Sequence, residues 1–425
     1  MGAVATAVTR VVMVAVLGAL AGCGPDGDPG TATPAWTGTI ADSAGVTIVR
    51  NPPEGLWAEG EEWSVEEELR IGSFAADPNE QFGQVGGIAV NSRGEILVMD
   101  RQVREVRFFS PEGTFIRAIG GPGEGPGEFG AGANDLFVNP DDSFLVPDNR
   151  NRRVHHFGPE GELLGSATLD LERYRALRYR GNAGALAAAV QLRPTDVLVD
   201  DAVVARDELR LLGPDGAIGD VLLEVPSGQL LGPDVIRYFT PEPAWSLSDS
   251  LTVHYAINDT YAIRTFDREG RLRRIITRAF EPRPISDRDI RAFFAYLDGA
   301  WLAAGVPPSR LAANHARVSF AEVFPAFYRF EIGPEGSLWV QPIQPPGDLS
   351  DADIERYDFI EDFGAAGWEV FDREGRYLGV VRMPRRFQPR IFTDRSVYGV
   401  IRDEIDIPYV VRLEIVRGET GRSPA

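Results

Sequence analysis

Lysine is absent from the 425 residues; all 43 basic side chains are Arg. Its absence excludes Schiff-base chemistry on lysine and the Walker-type phosphate lysine. Cysteine is nearly absent as well, with Cys23 alone, so no disulfide can form within the chain and thiolate zinc sites are excluded. Histidine is scarce: His155, His156, His254 and His315 are the full set, and no pair has HExxH spacing. His155 and His156 fall in a strand-like run, so their side chains point to opposite faces and cannot chelate one ion together. No G-x-S-x-G elbow occurs, which argues against an α/β-hydrolase. Positive charge is outweighed, with 63 acidic residues and a net charge of −20. That balance opposes phosphate-mediated nucleic-acid binding, and no nucleic-acid partner is expected.

What the chain does have begins at its N-terminus. Arg10 is followed by an apolar run, Val11 to Leu20, too short to span a bilayer and suited to the core of a signal peptide. The run ends Leu20-Ala21-Gly22-Cys23, which resembles the lipobox of bacterial lipoproteins. That resemblance implies a signal peptide over 1–22 and lipidation at Cys23, an anchor that needs no spanning helix. Gly24 in place of Asp favours the outer membrane, facing the periplasm or the cell surface. Residues 23–40, rich in Gly, Pro and Thr, read as a flexible tether.

An internal repeat dominates the remainder. Gly87-Ile-Ala-Val-Asn-Ser-Arg-Gly-Glu-Ile-Leu-Val-Met-Asp100, continuing to Gly113, returns 48 residues later as Asp135 to Asp148, continuing to Gly161. A tight turn recurs at Ser110–Gly113, Gly158–Gly161, Gly213–Gly216, Asp267–Gly270 and Asp372–Gly375. Short β-rich runs with turns at a period of forty-odd residues are the mark of a propeller blade. The pattern resembles the NHL-type six-bladed propellers, most clearly over Asp148-Asn149-Arg150-Asn151-Arg152-Arg153-Val154. The expected fold is therefore all-β: a six-bladed propeller over 41–425, acting as a monomer. Five blades lie near 82–118, 129–170, 183–225, 243–280 and 325–383. The sixth combines inner strands from 387–416 with an outer strand from Trp63 to Ile71, which closes the ring without a free edge. A helical insertion over 283–320 separates blades four and five; Ser286 is its N-cap, and Ile290, Phe293, Phe294, Leu297, Trp301 and Leu302 recur at helical spacing.

No complete catalytic constellation emerges. The Gly120–Gly130 run fails the G-x-G-x-x-G pattern and carries Glu124 and Glu128, so it reads as a connector. Asp348, Asp351, Asp353 and Glu355 lack the glycine of an EF-hand. In calcium-dependent propeller lactonases, carboxylates and amides from inner strands converge on one metal; Asn134, Asp135 and Asp148 could form part of such a site. The alternative reading of Asp100 and Asp148 is that they bond backbone amides in their turns. Arg101, Arg104, Arg150, Arg152 and Arg153 could form a basic rim for carboxylates or sugar acids, or ordinary ion pairs. Two functions follow: a non-catalytic envelope propeller that binds a protein, peptide or glycan without a cofactor, or a calcium-dependent lactonase or lyase at the central channel.

Overall fold

A computed structural model describes residues 36–73, 77–181, 188–195, 206–227 and 236–418. The expected signal peptide, Cys23 and the tether as far as residue 35 lie outside the described residues. From Trp36 onward the chain forms six four-stranded antiparallel blades, one of which gains two further strands.

Blade 1 comprises Val85–Val90, Ile96–Asp100, Glu105–Phe109 and Phe115–Gly120, and blade 2 Phe137–Val138, Phe144–Asp148, Arg153–Phe157 and Leu163–Thr168. Blade 3 comprises Tyr174–Gly181, Ala188–Pro194, Arg206–Leu212 and Ile218–Pro226. Blade 4 follows with Pro243–Leu247, Val253–Ile257, Ala262–Phe266 and Leu272–Arg278. Blade 5 has Arg329–Ile332, Leu338–Gln341, Gly367–Phe371 and Tyr377–Arg382. In blade 6, Gln388–Phe392, Ser396–Arg402 and Pro408–Val416 are completed on the outside by an N-terminal strand, β3 (Ser64–Ile71), antiparallel to Pro408–Val416. The divided sixth blade read from the sequence is the one observed.

The second strand of a blade shows how the sequence builds the core. Ile96–Asp100 is buried at every position. Its alternate residues serve different interfaces: Ile96 and Val98 pack with Tyr398 and Val400 of blade 6, whereas Leu97 and Met99 pack with Phe144 and Val146 of blade 2. A period of two thus places apolar groups on both faces of each sheet. Six such clusters fill the six gaps between neighbouring blades. The recurring turns end in glycines with positive φ, such as Gly113 at 87° and Gly375 at 85°, where a side chain would be strained.

Two features extend the expected plan. The hairpin β1 (Thr39–Ser43) and β2 (Val46–Asn51) adds to the outside of blade 4, with β2 parallel to Leu272–Arg278. The tether expected to reach residue 40 therefore gives way to a strand at Thr39. Between β2 and β3 the chain crosses behind blade 5, where Leu56 and Trp57 donate backbone hydrogen bonds to the carbonyls of Tyr377 and Leu378, at 3.1 and 2.9 Å. An N-terminal belt thus joins blades 4, 5 and 6.

The insertion is helical. In α1 (Asp287–Ala303), Ser286 and Asp289 form a reciprocal capping box. α2 (Leu311–His315) follows, and blade 5 contributes α3 (Asp351–Ile354) and α4 (Phe359–Asp362) between its second and third strands. Phe239, Phe293, Leu297, Phe324, Tyr357 and Phe363 form the core of this cap. Buried Asp289 also accepts a 2.7 Å hydrogen bond from the Gly347 amide, tying α1 to blade 5. By topology, a four-stranded antiparallel blade enters and leaves on one face of the ring, so the cap sits on the connector face. Among the described residues no helix is long and apolar enough to cross a membrane.

Candidate functional site: an arginine-lined channel

The first strand of each blade faces the axis, and first strands touch between blades 6 and 1, 1 and 2, 3 and 4, and 4 and 5. Three of the six are irregular. The ladder of blade 1 slips at Gly86 and Gly87, that of blade 3 at Leu177, and that of blade 6 at Arg390. Such bulges leave a residue out of the ladder and redirect its neighbours. At blade 1, glycine permits close approach: a Cβ on Gly86 would lie 2.2 Å from the Asn134 carbonyl oxygen. The Gly87 amide donates to that same carbonyl at 2.7 Å, fixing Asn134 at the axis. At blade 6, Arg390 is left out of the ladder and reaches to neighbouring blade 1, where its Nε donates to the Gly86 carbonyl at 3.0 Å, while its Nη2 donates to Gln388 Oε1 at 3.1 Å.

The resulting cavity measures about 310 Å³ and is lined by Arg101, Asn134, Asp135, Tyr179, Arg180, Arg329, Glu331 and Arg390, among others. A second lobe adds Arg178. Five guanidinium groups thus face two carboxylates, Asp135 and Glu331. Arg180 lies 3.5 Å from Glu331, and Arg178 pairs at 3.4 Å with Glu242 at the rim. Arg329 donates from Nε to the Gln341 side-chain oxygen at 2.8 Å. The Tyr179 hydroxyl donates to Asn149 Oδ1 at 2.7 Å.

The electrostatics follow from this crowding. Burial pushes the Asp135 carboxyl above its ordinary range, while Arg390, Arg180 and Arg101 pull it back. Burial, reinforced by neighbouring Arg329, lowers Arg390 to about 10, with Asp135 opposing the fall. Burial also lowers Arg178 and Arg329. With five guanidinium groups against two carboxylates in the lining, the cavity holds more positive than negative charge.

Of the residues picked from the sequence, Asn134, Asp135 and Arg101 line the cavity. Asp148 does not: its carboxylate accepts from the amides of Gly130 at 2.6 Å, Arg150 at 3.1 Å and Asn151 at 3.1 Å. Asp100 likewise accepts from Gly83, Gln84 and Gln102 at 3.0–3.2 Å. Both are fully buried clamps at the blade entrances. Arg150 is exposed and outside the lining. Arg152 pairs with Glu172 at 3.3 Å, and Arg153 donates to the Glu124 carbonyl at 2.7 Å. The rim read from the repeat therefore contributes Arg101 alone, and Arg178, Arg180, Arg329 and Arg390 supply the remaining positive charge. Their signal in the sequence is position: each occupies a first strand, which a propeller turns toward its axis.

Calcium does not fit this donor set. Asp100 and Asp148 commit their oxygens to amides, and Asp135 is surrounded by cations. Among the described residues no three His, Cys, Asp or Glu side chains converge on one point. The acidic run near 350 is taken up by ion pairs: Asp348 with Arg283, Asp351 with Arg288 and Asp353 with Arg385. His155 is buried against Phe129 and Phe157, and burial lowers its pKa to about 4.

A family model described as a six-bladed β-propeller, DUF5128, matches residues 79–185, which span blades 1 and 2 and the start of blade 3. No curated protein matches the chain. Among solved structures, a candidate exported protein of Bacteroides fragilis is 12% identical with a TM-score of 0.48, covering 87% of this chain and 100% of its own. The calcium-binding protein regucalcin from Agrobacterium tumefaciens is 10% identical with a TM-score of 0.41, covering 83% and 96%. Virginiamycin B lyase from Staphylococcus aureus is 11% identical with a TM-score of 0.39, covering 84% and 100%. The family match on the first blades agrees with the ring of sheets observed: the chain is a six-bladed β-propeller.

Proposed function

We propose that this protein is a non-catalytic binding propeller of the bacterial cell envelope that takes an anionic ligand in its central channel. The observation that carries the reading is the excess of guanidinium groups over carboxylates around one cavity. Arginine offers planar, bidentate donors that match carboxylate or phosphate oxygens. At an effective dielectric near 20, a carboxylate about 5 Å from one guanidinium gains about 3 kcal/mol, before the cost of desolvation. The Arg10-to-Cys23 pattern supports export and lipid anchoring.

Calorimetric titration of the purified protein with citrate, phosphate and sulfate at low ionic strength tests this reading. At least one anion is expected to bind, with affinity that falls as salt rises. Arg390→Met should weaken binding about tenfold or more, equivalent to 1.4 kcal/mol, at an unchanged thermal midpoint. Absence of binding at about millimolar concentration by every anion tested would overturn the proposal.

A further inference from the structure

The polar atoms left without partners narrow the ligand class. Two belong to residues that line the channel, and both are buried and unpaired: Arg180 Nε, a donor, and Asn134 Oδ1, an acceptor. The Asp135 carboxylate, another acceptor, faces the same space and takes no hydrogen bond from the protein among the described residues. Buried groups of this kind normally have partners, in protein, water or ligand.

A simple anion can satisfy only half of this pattern. Its oxygens accept from Arg180 and Arg390 but are repelled by Asp135 and offer nothing to Asn134 Oδ1. A neutral polyol has the opposite fault, since it leaves the positive charge uncompensated. A molecule carrying both an anionic group and hydroxyl donors completes both halves. The cavity of about 310 Å³ lies at the lower end of the range of small-ligand pockets, which suits a molecule of monosaccharide size.

We infer that the channel binds a small hydroxylated acid of the sugar-acid class, its carboxylate on Arg180 and Arg390 and its hydroxyls on Asn134 and Asp135. The inference rests on the anion-binding reading above and adds the acceptor side. Asn134 is a specificity-determining residue in this arrangement, since it discriminates hydroxylated from bare anions. Its backbone carbonyl bonds Gly87 whatever its side chain, so the side chain can be replaced with the local ladder intact.

The experiment is a calorimetric comparison of gluconate, glucuronate and galacturonate with cyclohexanecarboxylate, an acid of the same single charge without hydroxyls, and with neutral galactose. At least one sugar acid is expected to bind tenfold or more tightly than cyclohexanecarboxylate. Asn134→Leu should remove that advantage without changing cyclohexanecarboxylate affinity, whereas Arg180→Met should weaken both acids; thermal midpoints report folding. Cyclohexanecarboxylate equal to or tighter than every sugar acid, with Asn134→Leu silent, overturns the hydroxyl inference and leaves anion binding standing. Galactose matching the sugar acids, or no acid binding at all, overturns both.

Discussion

Replacing Asp148 separates a clamp from a ligand contact. Its carboxylate accepts three amide hydrogen bonds, from Gly130, Arg150 and Asn151, and the side chain is fully buried. Hydrogen bonds to a charged group contribute about 1.5–3 kcal/mol each, and a buried amide left unsatisfied costs about 1–3 kcal/mol. Gly130 is buried, whereas Arg150 is exposed and can be rehydrated. Asp148→Ala should therefore lose about 4 kcal/mol. Asp148→Asn keeps an acceptor toward the turn but presents a donor to Gly130, so about 2 kcal/mol is expected. With an unfolding entropy near 2.1 cal/mol/K per residue, about 0.9 kcal/mol per kelvin for this length, the midpoints should fall by about 4–5 and about 2 °C. Asp100→Ala should cost less than Asp148→Ala, because Gln84 and Gln102 are exposed. Thermal unfolding and anion titration are measured on the same samples, with anion affinity expected to hold. An unchanged midpoint with lost binding would refute the reasoning and make Asp148 a ligand contact.

Three further outcomes are expected. His254 is buried beside Thr265, and burial lowers its pKa to about 4; the unfolded chain takes up the proton near 6.5 while the fold refuses it. Stability is thus complete above pH 6.5 and lost as pH falls toward 4, by on the order of 2–3 kcal/mol. His254→Gln should flatten that acid limb in urea titrations at pH 7 and pH 5, and an equal loss in both proteins would count against it. Cys23→Ala should move the protein from the detergent phase to the aqueous phase of a Triton X-114 extraction; an aqueous wild type would refute the anchor. A chain lacking Ser64–Ile71 leaves the edge of Pro408–Val416 unpaired and should aggregate or unfold early, so a monomer with the native midpoint would contradict the closure.

The blades were legible because a propeller repeats its turn chemistry. Glycines at 113, 161, 216, 270 and 375 end equivalent hairpins, and each takes a positive φ. Helix α1 was legible through Ser286 as N-cap and the helical spacing of Ile290, Phe293, Phe294, Leu297, Trp301 and Leu302. The hairpin β1–β2 was not, because it lacks the blade turn and its partner strand lies over 220 residues away: Asn51 donates to the Thr277 carbonyl. The channel was legible in part. Asn134, Asp135 and Arg101 sit in blades 1 and 2, where the repeat is clearest. Arg178, Arg180, Arg329 and Arg390 sit in blades 3, 5 and 6, where the repeat is faint, and bulges at Leu177 and Arg390 break the alternation that would have revealed their direction. Charge beside the repeated Asp100 and Asp148 yielded Arg101 alone; charge in a first strand marks the other four.

The N-terminal belt also has a mechanical side. Tension entering the chain ahead of Trp36 first meets β1 and β2, joined by five residue pairs to each other and by five more to blade 4. It must then peel the crossing behind blade 5, held by Leu56 and Trp57, before it reaches β3. The seam that closes the ring is therefore last in the line of force, and a pull from a membrane would fray the outside of blade 4 while the channel keeps its shape.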